Sequence, residues 1–536
     1  MRRTLRALAL ATVFVVLLTS AASAGATGGW SHLGDGGAPG TASLNGTVSA
    51  LNTDEPGVLL VGGNFTNAGG RPAADYLARW DGAAWSAVGP GLNGAVHAIA
   101  YHAGKVYAGG VFHDAGGDGQ ADFLAVWNGS SWAPFCNSTG PDASFGGSVD
   151  ALQIIGSTLY VGGAFQNGAG IASADYLLAC NLNTGASSST VPNDGDFPGA
   201  VYALTADSDG TLYAGGQFIN LAAIPAADHV ASYSGGVWHA MGSGISPGGG
   251  AIDSFVRSLA AKGTDVYAGT DSTNVAGIPQ ADHVARWNGS AWSAVGSDTA
   301  GSNGWFTTLT SINALATSGS LVFAAGSFQN ANGDPLADVV AEFDGSAWHH
   351  VGSDGAGNGP WIGNGTALAV FHQQLVAGGS FTSAGGDTSA EFVAAYRILR
   401  PDARIGTNSA GPFAGNGVYS ATGAGESKTI SVARGSSGTL FVNIQNDGLI
   451  PGTFTVTGTG AANGYTVTYF RGATNVTGGV RAGTFSTGSL APGASTTLKM
   501  VVKLSPTSAG TGTFLVKATA GPGIPADAVR ATVKAK

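Results

Sequence analysis

Four sets of residues in this 536-residue sequence have the types and spacing for chemistry. The first is a carboxylate series. Asp75, Asp122, Asp175, Asp228, Asp282, Asp338 and Glu391 each precede a short apolar run. A catalytic acid is needed once, so a series of seven points to a repeated local task. A carboxylate in a glycine-rich loop accepts backbone N–H bonds and stiffens the turn. Oxygen-rich loops also suit calcium, which stands as the alternative and as the one cofactor left open. The second set is Cys136 and Cys180, the only cysteines. In an exported chain they predict a disulfide, with two separate buried thiols as the alternative.

The third set comes from a recurring Val-x-Ala-Leu segment. Its x position holds Ser49, His97, Asp150, Tyr202, Arg257, Asn313 and Leu368. A position that differs in every copy is not dictated by packing. His97, Asp150, Tyr202 and Arg257 are therefore candidates for a ligand site; ordinary water-filled lining is the alternative. The fourth set is aromatic. Phe145, Phe197, Trp305, Phe306 and Trp361 lie in long variable loops, with Asp196, Asn303, Asp354 and Asn358 nearby. Aromatic faces beside amides and carboxylates suit sugar rings or peptides; hydrophobic plugging of the loops is the alternative. No nucleophile elbow, His-Glu-x-x-His or phosphate loop occurs, so no residue is assigned a catalytic role.

Elements of fixed period must position these residues. The segment beginning at Val61, VGGNFTNAGG, has relatives beginning at Ala108, Val161, Ala214, Ala268, Ala324 and Ala377, spaced by 47 to 56 residues. Each copy contains four strand-like pieces, for example AVHAIAYH, KVYAGGVF, DFLAVW and SWAPF. Alternation, β-branched and aromatic residues mark strands, and glycine-rich turns separate them. One such sheet cannot bury both faces, whereas radially packed sheets can. Most copies end in Trp-x-x-apolar-Gly, but the last ends near Tyr396 without one. The missing piece stands at the other end, as Trp30-Ser31-His32-Leu33-Gly34. That phase predicts an all-β, seven-bladed β-propeller closed by its N-terminal strand.

Beyond about residue 401 the repeat disappears. KTISVA, LFVNIQN, TFTVTG, YTVTYF, TTLKMVV, TFLVKATA and AVRATVKA read as seven strands, which suit an immunoglobulin-like β-sandwich. The predicted organisation is a signal peptide at 1–24, a propeller at 25–400 and a sandwich at 401–536. The signal reading rests on Arg2, Arg3 and Arg6, the apolar run Ala7–Leu18 and the small residues Ala22-Ser23-Ala24. No later apolar stretch is long enough to span a bilayer. Residues 25–400 hold 8 Lys+Arg against 28 Asp+Glu, a net −20, and residues 401–536 hold 11 against 4, a net +7. An acidic first part repels phosphates and argues against nucleic acid as a partner. The basic second part suits contact with an anionic envelope polymer.

The pieces LYVGG, LARW and AWSAVG resemble the second, third and fourth strands of kelch-type blades. The Gly-Gly-x-Phe-x-x-Ala-Gly-Gly variant resembles the repeats of secreted bacterial surface proteins and of the fungal cortical marker for cell polarity. The tail resembles accessory sandwich domains of bacterial extracellular proteins. A propeller followed by a sandwich also resembles galactose oxidase, but that copper chemistry needs a histidine from the sandwich, and this tail has none. The resemblance implies a fold and leaves the activity open. The sequence predicts a secreted or cell-surface, non-catalytic binding or scaffold protein, recognising an extracellular glycan or protein through its loops. The competing expectation is a carbohydrate-active hydrolase or lyase with its site at the channel mouth.

Overall fold

The computed structural model describes residues 29–536, except 137–144, 191–196, 245–248, 298–303, 307–310, 320, 355–357, 362, 417, 419, 449–450, 463, 492, 508–509 and 521–525. The signal segment, Asp196 and Asn303 therefore lie outside the described residues.

The chain is all-β, with repeated four-stranded antiparallel sheets; seven are present among the described residues. Their first strands are Val48–Asn52, Val96–His102, Val149–Ile155, Val201–Ala206, Val256–Lys262, Ile312–Ser318 and Gly363–Phe371. In the first six sheets all four strands are consecutive in sequence. The seventh takes its fourth strand, Trp30–Ser31, from the start of the described chain, with Trp30 opposite Tyr396 and Ser31 opposite Ala395. First strands of successive sheets touch in order, and that of the seventh touches that of the first.

The glycine near the end of each second strand, replaced by alanine in the sixth sheet, explains how these strands approach. A Cβ on Gly62 would lie 2.7 Å from Val96 of the next sheet. Gly109 meets Val149, Gly162 meets Val201, Gly215 meets Val256, Gly269 meets Ile312, and Gly378 meets Val48 in the same way. Only a residue without a side chain leaves room for the valine or isoleucine. The sixth sheet has Ala325 where the others have glycine, and its neighbour carries Gly365 in place of the valine. A Cβ on Gly365 would lie 2.8 Å from the Ala325 Cβ. Bulk has changed sides of the contact, and the spacing survives.

The sheets are also joined at their outer strands. The indole N–H of Trp348 donates to the Val295 carbonyl just beyond the preceding sheet's fourth strand, at 2.8 Å, and that of Trp30 donates to Val351 at 2.7 Å. Trp85 donates to Leu33, Trp132 to Pro90, Trp238 to Thr190 and Trp292 to Met241. The third sheet's fourth strand, Ser187–Ser189, has no tryptophan, so its junction with the second sheet lacks this clip. The Cys136–Cys180 disulfide stands there, with Cα atoms 5.4 Å apart. Cys136 occupies the position that Gly89 holds one copy earlier, and both have left-handed backbones, φ 68° and 69°. Cys180 occupies the position of Trp127, the ring against which Gly89 packs. A covalent bond has replaced a glycine–indole contact.

The N-terminal strand is held by more than its ladder. Trp30 is fully buried, edge-on to Trp361 at 5.0 Å and tilted against Tyr396 at 5.4 Å. His32 hydrogen-bonds through its ring and backbone N–H to Asp387. That bond raises the His32 pKa; burial works against ionisation of Asp387, but the His32 bond holds its carboxyl below the usual value.

After residue 400 the chain forms a six-stranded and a five-stranded sheet, with a common interior that includes Leu440, Val442, Tyr469, Met500, Phe514 and Val533. All seven strands read from the sequence are present. Pro401–Gly406 and Phe485–Leu490 are additional strands, missed because their alternation is broken by Pro401, Gly406 and Gly488.

Three outcomes follow. Gly365→Val should cost about 1–3 kcal/mol by overpacking, and adding Ala325→Gly should recover most of it; a thermal double-mutant cycle with no recovery rules out the exchange of bulk. Cys136→Ser with Cys180→Ser should cost about 2–4 kcal/mol; Cys136→Gly with Cys180→Trp should restore melting that no longer responds to reductant. Trp30→Ala should cost about 3–5 kcal/mol, and deleting residues 25–36 should lower the melting point further by exposing the seventh sheet's edge.

Candidate functional site

Each first strand carries a β-bulge, an extra residue that interrupts the ladder with its partner. In the first sheet Val48 pairs with Gly63 and Ala50 with Gly62, so Ser49 has no partner of its own. The same shift isolates His97, Asp150, Tyr202, Arg257 and Asn313. In the seventh sheet it falls between Gly365 and Ala367 and isolates Thr366. Leu368 is therefore two residues out of register with the others, a correction to the sequence reading. Gly365 had replaced the valine that marks the segment, which hid the alignment. A bulge re-aims its side chain away from the pleat.

These side chains converge. Ser49, His97, Tyr202, Arg257, Asn313 and Thr366, with Asn364, line a recess of about 360 Å³. Asp150 stands directly behind His97, its Oδ1 2.8 Å from Nδ1, while its Oδ2 accepts from the Ser148 hydroxyl at 2.8 Å. All four polar candidates thus belong to one neighbourhood, and every sheet contributes a residue. Arg257 is held by Asp271 through two hydrogen bonds, at 2.7 and 2.6 Å, which raise its pKa further. Tyr202 donates to Gln217 at 2.8 Å. Burial and then the Asp150 charge raise the Tyr202 pKa, with Arg257 opposing, so the phenol stays neutral at neutral pH. Phe255 packs edge-on to Tyr202, ring centres 6.5 Å apart, and to His229 at 6.0 Å. Burial lowers the His229 pKa and favours its neutral form. Asn313 donates to Asn364 at 2.9 Å. The result is a wall of fixed donors and acceptors with a partly exposed aromatic corner.

Ser148, Gln217, Phe255, Asp271, Asn364 and Thr366 were missed by sequence reasoning. They flank the bulge or lie across the ladder from it, so aligning the copies on their ladder partners would have found them.

The five loop aromatics lie elsewhere, and the structure corrects their expected role. Phe145, Phe197, Trp305, Phe306 and Trp361 are each at most 7% exposed. Phe145 packs on Phe165, and Phe197 wedges between Phe218 and Trp238. Phe306 sits between Phe328 and Trp348, and Trp361 stacks on Phe381 at 4.5 Å. Trp305 fills the space beside Gly296. Most stand four residues before the inner-strand valine position, where other copies place Leu44, Leu92 and Ile252, also buried. An apolar plug is required at that position, and an aromatic ring is one way to supply it.

The carboxylate series is also structural. Oδ1 of Asp75, Asp122, Asp175, Asp228, Asp282 and Asp338 accepts the N–H of the residue eight earlier, at 2.6–2.8 Å. Each donor residue has a left-handed backbone, as at Asn67, φ 54°. The second oxygens of Asp228 and Asp282 accept from Gly250 and Gly304 in the loop leading to the next sheet. Among the described residues, no three His, Cys, Asp or Glu side chains are gathered as metal ligands. A separate recess of about 290 Å³ lies beside Trp80, Trp85 and Arg71, away from the bulges.

No family model matches this chain, and neither does any curated protein. Partial similarities exist among solved structures. A family 123 glycoside hydrolase from Clostridium perfringens is 8% identical over 25% of this chain and 27% of that one, with a TM-score of 0.17. Domains 4 and 5 of the S-layer protein SbsC are 18% identical over 20% of this chain and 47% of theirs, with a TM-score of 0.13. The N-terminal domain of PorA is 12% identical over 26% of this chain and 98% of that one, with a TM-score of 0.17. The chain spans about a quarter of the hydrolase and under half of the SbsC fragment. Likenesses at these TM-scores carry no argument about fold or activity. Among the described residues no helix is long and apolar enough to cross a membrane.

Proposed function

We propose that residues 30–397 form a seven-bladed, kelch-like β-propeller and that an immunoglobulin-like sandwich follows. Seven equal sheets, the contact between the first and seventh, and the borrowed N-terminal strand support this reading. The protein acts outside the cytoplasm as a non-catalytic binding or scaffold protein. Its ligand is a glycan, held at the mouth where the blades' first strands begin.

One observation carries the reading: seven sheets with a shared framework present seven bulged side chains, all different, six of them lining a recess of about 360 Å³ and the seventh, Asp150, bonded behind His97. Packing demands no such diversity, and ligand selection does. Neutral hydroxyl and amide groups beside the Tyr202–Phe255 corner suit a sugar, which needs many hydrogen bonds and an apolar face. The Arg257–Asp271 ion pair and the His97–Asp150 hydrogen bond are matched internally. A neutral sugar then binds without leaving a buried charge exposed to a wrong partner.

The hydrolase or lyase reading draws on the His97–Asp150 pair, which fixes the ring and leaves its second nitrogen for proton transfer. It is the weaker reading because Asp150 and Asp271 are both engaged and, among the described residues lining the recess, no second acid stands ready. Glycan-array binding by the mature chain should fall about tenfold, on the order of 1.4 kcal/mol, on Tyr202→Ala. Asn313→Ala should weaken the same ligand. Unchanged binding in both variants sinks the site. Turnover of a bound glycan that His97→Ala abolishes moves the assignment to the enzyme.

A further inference from the structure

The recess uses nothing from the second part of the chain, where charge is distributed in an unusual way. Residues 401–536 hold 11 Lys+Arg and 4 Asp+Glu. Three of those carboxylates, Asp402, Glu426 and Asp527, are at most 1% exposed. Most of the cations are exposed. Lys499 and Lys503 are exposed and, among the described residues, have no ion-pair partner.

Strand register gives these cations a setting. On the six-stranded sheet Lys499 lies opposite Phe441 on one side and Phe470 on the other. The three side chains form one row across the outward face, with both phenylalanines only half-buried. Gly406 continues the row beyond Phe441, and the ring of Phe413 lies over it. Arg404 is 5.8 Å above that ring. Lys503 stands two rows along, between Ser437 and Thr466. Phe441 and Phe470 are two strands apart, about 10 Å. The face is therefore flat and lined with rings, with an ammonium between the rings.

We propose that this face binds a linear anionic polysaccharide running across the strands. Alternate sugar rings would lie on Phe441 and Phe470, with acidic groups at Lys499 and Lys503. Unpaired cations supply charge complementarity, and ring spacing along one row selects an extended polymer. A compact anion gains nothing from the second ring.

The test is affinity electrophoresis of the full mature chain through gels containing alginate (a polyuronate), pullulan (a neutral glucan) or single-stranded DNA. Alginate should retard the protein, pullulan should not, and high salt should weaken the effect. Lys499→Glu with Lys503→Glu should weaken alginate binding at least about tenfold, with melting unchanged. Phe441→Leu with Phe470→Leu keeps apolar volume but removes the ring faces, and should also weaken it. Tyr202→Ala should leave it intact. The proposal is overturned if alginate does not retard the native chain, if either double variant binds like the native chain, or if DNA is retarded as strongly as alginate. Loss of alginate binding in Tyr202→Ala also overturns it, and leaves the recess as the glycan site.

Discussion

The closeness of neighbouring first strands governs the first 400 residues. Six junctions place a glycine, and one an alanine, within contact of a side chain or backbone from the next sheet. That contact sets how far apart the sheets stand at their narrow ends. It is a steric limit and carries no direction or charge, so everything else can vary around it. The exchange of bulk between Ala325 and Gly365 shows what is held constant: the combined volume at the junction, whichever strand supplies it.

At the wide ends the constraint is different in kind. Indole N–H groups bridge to carbonyls of the preceding sheet, and aromatic plugs fill the connecting loops. These are directional bonds and large apolar surfaces, suited to gaps that widen outward. The third sheet lost its tryptophan, and the junction is held by a disulfide in the same place. Cys136 keeps the left-handed backbone that glycine adopts elsewhere, so the covalent link was fitted to an existing turn. Carboxylates such as Asp282 add a third layer, tying the inner loop of the fourth, fifth and sixth sheets to the next connection.

Much of this was legible in the sequence because each copy repeats the same requirement. The four strands per copy, the displaced N-terminal strand, the cysteine pair and the N–H-accepting aspartates all read from spacing and residue type. The errors arose where one copy departed from the rest. Gly365 broke the Val-x-Ala-Leu pattern and put Leu368 in Thr366's place. The loop aromatics were misread because Phe145 and Trp361 were compared with their own neighbours, when the informative comparison was with Leu44 and Leu92. Residues that join the recess from across a ladder, such as Gln217 and Asp271, leave no local signature, because pairing distance is unrelated to sequence distance.

The bulge has a consequence for how such a protein changes over generations. A bulged residue takes no part in the ladder of its own sheet, although His97, Asn313 and Thr366 also bond to a neighbouring sheet. Substitution there spares the ladder and the glycine–valine contact, while substitution one position away does not. Seven sites around one opening can therefore vary without breaking a ladder. A duplicated gene with this architecture begins its divergence already holding a tolerant, multi-sided surface, and selection has only to sort what drifts into it.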